Sequence, residues 1–292
     1  MLTKKETLLQ NMAFMGIIAA INVLLSALGA YFPVAGIFIM ILLPFFSAAV
    51  AMLCKWKYYP IYAFASIGVA LCATLWNTEF TIFYLIPSII TGFLFGMCFT
   101  YKLTGTYSLL LTSIAQLGLT YLALPIIKAI YDVDLINVFL TVFKLDNNPH
   151  APLMVPSFIY LLSLVQMLFS YIVLTNEIKK FTNDSENQNG FYLKIIGLLL
   201  AILVIPFAFF ALNASYLFMF IALFLTISVF VDIVYTKNRK NIIIYSILLS
   251  IGFILIFALF NVIKMPYALL VIDASNILIL SLSLLYNQKR AS

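Results

Sequence analysis

Apolar residues run in long blocks along this chain, and short polar interruptions separate them. Windows of about 20 apolar residues, the length a helix needs to cross the hydrocarbon of a bilayer, fall at 11–32, 37–54, 58–76, 80–101, 107–130, 152–174, 192–212, 215–235, 241–263 and 266–286. The pattern predicts an all-α integral membrane protein of about ten transmembrane helices. The block 80–102, FTIFYLIPSIITGFLFGMCFTYK, gathers the signals in one place. Pro87 interrupts it early, and Gly92 and Gly96 stand at the Gly-x-x-x-Gly spacing that bares backbone to a neighbouring helix for packing. Lys102 closes it and marks a cytoplasmic edge.

The basic residues decide the direction of each span, because cytoplasmic segments are enriched in Lys and Arg. With the N-terminus inside, the inner set is Lys4, Lys5, Lys55, Lys57, Lys102, Lys179, Lys180, Lys194, Lys237, Arg239, Lys240, Lys289 and Arg290. Only Lys128, Lys144 and Lys264 fall outside, and the two sets together are the 16 basic residues of the chain. An even number of spans with both termini cytoplasmic follows. Trp56, Tyr58, Tyr59 and Tyr62 at the inner end of the third span, and Trp76 at its outer end, read as interfacial anchors.

The outer loops at 31–36, 77–79 and 213–215 are short, whereas 131–151 is long. Within it Leu135, Phe139, Val142 and Phe143 recur at helical spacing, which predicts a helix lying on the outer surface, either a lid or a plain connector. The polar stretch 176–190, NEIKKFTNDSENQNG, is the clearest seam. It divides a six-helix unit, 1–175, from a four-helix unit, 191–292, through a cytoplasmic loop. A division at 131–151 would instead give five and five, the arrangement of inverted-repeat transporters.

Composition narrows the class. With 65% hydrophobic and 9% charged residues and a mean hydropathy of +1.14, the chain lacks the surface charge of a soluble domain. Its net charge of +6 sits in clusters between spans, as topology signals do, and so does not point to nucleic acid. The first span is too long for a signal-peptide core and is expected to stay in the membrane. Cys54, Cys72 and Cys98 have no metal-ligand spacing and read as packing residues. His150 alone cannot build a metal site or a nucleophile–base pair. No GxxxxGK[ST], HExxH or GxSxG motif occurs, so no enzymatic activity and no cofactor are expected, and uphill transport would need an ion gradient or another polypeptide. The wealth of Lys, Phe, Ile and Asn points to an AT-rich bacterial genome, and hence to a multi-pass protein of a bacterial cytoplasmic membrane.

Two sets of residues stand out. In the first span Ala13, Gly16, Ala20 and Ala27 line one face. Such a face admits another helix at close range, whether of this chain or of a partner. The second set is polar and deep: Asn22, Gln116, Gln166 and Asp273. The amides are expected to bond between helices. Asp273, about 12 Å into the membrane from Met265, is a candidate substrate or ion site, or else is protonated and bonded to Asn276 or Gln116. Asp232, near Lys237, reads as solvated or paired.

The segment MAFMGIIAAINVLLSALGAYFPVAGIFIMILLP, followed about forty residues on by FYLIPSIITGFLFG with Pro87, Gly92 and Gly96 and then by Lys102, resembles the substrate-binding S components of energy-coupling factor (ECF) transporters. It resembles more closely the related YybS-like family of bacterial membrane proteins, over about residues 11–175. The resemblance implies uptake of a small vitamin-like solute. It also implies that the small-residue face, here Ala13, Gly16 and Ala20, docks on a transmembrane T subunit driven by two ATPases. An S component is typically a six-helix unit, and this chain adds four spans. A ten-helix secondary transporter similar to the drug/metabolite superfamily, with Asp273 as its coupling carboxylate, and a non-transport membrane scaffold are the alternatives.

Overall fold

A computed structural model of the chain describes residues 4–103, 105–142, 152, 155–177, 188–226, 229 and 267–291. The ninth predicted span, residues 143–151 of the loop 131–151, the core of the seam 176–190, Asp232 and His150 lie outside these residues. The described elements are helical, and no strand occurs among them. In order they are α1 (Leu8–Tyr31), α2 (Pro33–Leu53), α3 (Tyr59–Ala73), α4 (Ile86–Thr100), α5 (Gly105–Tyr131), α6 (Leu135–Val142), α7 (Val155–Glu177), α8 (Gln188–Phe210), α9 (Leu212–Leu225) and α10 (Tyr267–Ala291). Among the described residues, four stretches are long and apolar enough to cross a membrane: Leu8–Tyr31, Thr81–Thr100, Gly105–Tyr131 and Phe191–Phe210.

Local chemistry explains the boundaries. Thr7 and Gln10 form a reciprocal capping box that starts α1. The loop expected at 31–36 is absent: Phe32 alone separates α1 from α2, because Pro33 at the first helical position restarts the helix at once. The third span is shorter than the 58–76 expected. A 3₁₀ turn, Trp56–Tyr58, precedes it, and α3 has 15 residues, about 22 Å. The fourth span opens with a π-helical turn, Thr81–Leu85, that runs straight into α4. Pro87 follows directly on that π turn inside the continuous helix, where its missing N–H removes one backbone bond to the preceding turn. At the other end Lys102 takes the left-handed conformation, with φ 55°, and Leu103 N donates to Cys98 O over 2.9 Å, which closes the helix in a Schellman-type turn.

The chain divides into two compact units. The first comprises Met1–Leu135 and Phe158–Asp184, and so holds α1 to α5 and nearly all of α7. Here α1 packs on α2 and α3, α2 on α4, and α4 on α5. The α2–α4 contact depends on glycine: a Cβ at Gly92 would stand 2.8 Å from Ala48 N, and one at Gly96 would stand 3.1 Å from the Ala51 carbonyl carbon. At the start of α1, Asn11 Nδ2 donates to Thr7 O and Lys5 O, while Lys55 N donates to Asn11 Oδ1 over 2.8 Å. This clamp ties the N-terminus to the α2–α3 turn.

The second unit comprises Ile136–Ser157 and Ser185–Ser292. Ala211 alone joins α8 to α9, so the two form a tight antiparallel pair. Helix α10 runs antiparallel to α8. The Phe209 and Tyr267 rings lie 6.2 Å apart, and at the other end a Cβ on Gly197 would meet Leu280 Cδ1 at 3.3 Å. These two contacts fix one register. The buried stripe Lys194, Gly197, Ala201, Val204, Ala208 of α8 faces the buried stripe Ser283, Leu280, Asn276, Asp273, Leu269 of α10, with the steps of three and four that a helix seam requires.

Candidate functional site

In the first unit the buried face of α1 carries Asn11, Met15, Ile18, Asn22, Ser26 and Gly29, and that of α3 carries Tyr59, Tyr62, Ser66 and Ala70. Where they meet, Asn22 Nδ2 donates to the Tyr62 hydroxyl over 2.7 Å, and that hydroxyl lies 3.1 Å from Ser47 Oγ of α2. Asn22 is 0% and Tyr62 1% exposed. Tyr62 is therefore no interfacial anchor, contrary to the sequence expectation, and neither is the buried Tyr59, whose hydroxyl donates to Ile89 O over 2.7 Å. Trp56 is half-buried against Phe93 and Tyr101, and Trp76 is 87% exposed.

Several polar atoms in this interior have no hydrogen-bond partner: Asn22 Oδ1, Ser26 Oγ, Ser66 Oγ, Ser88 Oγ, Gln166 Oε1 and Ser170 Oγ. Gln116 is better satisfied, accepting from Thr91 Oγ1 over 2.8 Å, and Thr91 also donates to Pro87 O over 2.8 Å. Buried polar groups are normally paired, so unpaired ones mark places for water or a solute to bond. Among the described residues the buried polar side chains of this unit are all uncharged.

The small-residue face of α1 does not pack inside the unit. Ala13, Gly16 and Ala20 are exposed, flanked by exposed Ile17 and Leu24, and a Cβ at Gly16 would meet nothing within 4 Å. Ala27 is half-buried. Of the cysteines, Cys54 and Cys98 are buried, while Cys72 is exposed on α3 and packs against nothing central.

Among the described residues, the buried charged side chains lie in the second unit. Asp273 is 1% and Asn276 2% exposed. Neither carboxylate oxygen has a hydrogen-bond partner, and Asn276 Nδ2 has none. Asn276 lies near enough to bear on the carboxylate. Lys194, assigned above to the inner charged edge, is instead 0% exposed and has an interaction partner, one turn before Gly197 on the α8 stripe. The candidate residues thus separate: Asn22, Gln116 and Gln166 line the first unit, and Asp273 and Asn276 the second. The polar partners Tyr62, Ser47 and Ser66 were missed, although the 3–4 spacing of Tyr59, Tyr62, Ser66 and Ala70 already places them on one face of α3.

Comparison with protein-family models, with curated proteins and with solved structures returned no match. No group of three or more His, Cys, Asp or Glu residues that could hold a metal ion occurs among the described residues.

Proposed function

We propose that the protein is a membrane uptake protein of the S-component type in a bacterial cytoplasmic membrane, with about ten spans and both termini cytoplasmic. In this reading the first unit binds a small vitamin-like solute, and a T subunit with its ATPases supplies the energy. The observation that carries it is the open face of α1. The packing alternative for Ala13, Gly16 and Ala20 would fill that face with a helix of the same unit, and a Cβ at Gly16 meets no atom within 4 Å. Unpaired but uncharged groups such as Asn22 Oδ1, Ser66 Oγ and Gln166 Oε1 support a neutral solute with several hydrogen-bonding groups. A charged solute would want a counter-charge in the same interior.

Native mass spectrometry of the purified full-length protein tests the binding part. A small neutral polar molecule should ride with the wild type and be lost from Asn22→Leu. Proteoliposomes holding this protein alone should show no gradient-driven flux of that molecule. Such flux would replace the reading with a secondary transporter.

A further inference from the structure

We propose that Asp273 is an exchangeable proton-binding site inside the C-terminal helical unit. It does not rest on the uptake reading, since Asp273 and its neighbours belong to the second unit.

The α10 stripe Leu269, Asp273, Asn276, Leu280 and Ser283 occupies seam positions that packing alone would fill with apolar side chains. Two of its five places are instead an acid and an amide, both at least nine-tenths buried. The acid has no hydrogen bond to either oxygen. An ionised carboxylate in that state is strongly disfavoured, so the group must hold a cation or a proton.

Among the described residues, the neighbouring helices supply no counter-charge at that level. The register places Asp273 opposite Val204 of α8, and the Val204 carbonyl already accepts from Ser215 Oγ of α9 over 2.9 Å. The titratable and charged residues of the packed elements are Tyr192 and Lys194 on α8, Tyr216 on α9, and Tyr267, Tyr286, Lys289 and Arg290 on α10 itself. Tyr192 and Tyr267 are exposed. Lys194 lies opposite Ser283, ten residues along α10 and so about 15 Å from the Asp273 level.

The ligand set selects the proton. A metal cation needs a shell of several oxygens, and among the described residues only one carboxylate and one amide meet here. A proton needs a single carboxylate oxygen. Asn276, one turn along, acts as a positioning residue whose amide faces the acid.

The test is covalent labelling of the full-length protein in lipid nanodiscs with dicyclohexylcarbodiimide, an apolar reagent that adds to protonated carboxyl groups, followed by peptide mass spectrometry across a pH series. The expected result is an adduct on Asp273 that falls about tenfold per pH unit above its midpoint, is absent from Asp273→Asn, and is indifferent to sodium. Labelling that sodium suppresses at fixed pH would make the site one for a metal cation. Labelling that is absent, or equal at every pH, would mean a carboxyl locked in one state. Either result overturns the proposal, and both are read on the wild type.

Discussion

Asn22 and Tyr62, forty residues apart, are joined by a 2.7 Å hydrogen bond at the centre of the first unit. The bond links α1 to α3, and Ser47, 3.1 Å from the same hydroxyl, adds α2. Three helices are thus held in register by one phenol in a place where apolar packing is non-directional.

Removing one partner should cost more than removing both. Tyr62→Phe leaves the Asn22 amide unpaired and should lower stability by about 1–3 kcal/mol. Asn22→Leu combined with Tyr62→Phe should cost less than the sum of the single changes. Thermal unfolding of the four proteins in one detergent checks this, and strict additivity would mean the bond contributes nothing.

Glycine has opposite roles on the two sides of the unit. Gly92→Ala drives a methyl into Ser47 and Ala48 of α2 and should destabilise by about 1–3 kcal/mol. Gly118→Ala meets nothing within 4 Å, and a helical glycine replaced by alanine gains about 0.5–1 kcal/mol. Melting temperatures should therefore move in opposite directions.

Much of this was legible in the sequence, and the failures have physical causes. Hydropathy windows located most helices because hydrocarbon thickness sets a length, and the amphipathic pattern at Leu135 and Val142 found α6, although Phe143 lies beyond the described residues. Windows register composition, however, and not direction. Tyr62 and Lys194 sit near the ends of apolar blocks, where an anchor or a topology charge would also sit, and only their place on a buried stripe shows that they face inward. The windows leave 31–36 as a short loop, whereas Pro33 fills the first helical position and a Cβ added at Gly36 would stand 3.2 Å from Gly29 O.

Topology is open to direct measurement. In a cysteine-free background, a cysteine at Lys55 should react with a membrane-impermeant maleimide only from the cytoplasmic side, and one at Trp76 only from outside. Labelling of both positions from one side would remove the third span from the account.

The central claim is that the exposed face of α1 receives a partner. Tagged full-length protein from native membranes, quantified by mass spectrometry against a double variant carrying Gly16→Leu and Ala20→Leu, tests it most directly. The account predicts that a T subunit and two ATPases accompany the wild type and that the variant loses them about tenfold or more while keeping its melting temperature, since Gly16 has open space around it. Recovery of no such partners with the wild type, or their equal recovery with the variant, would contradict it.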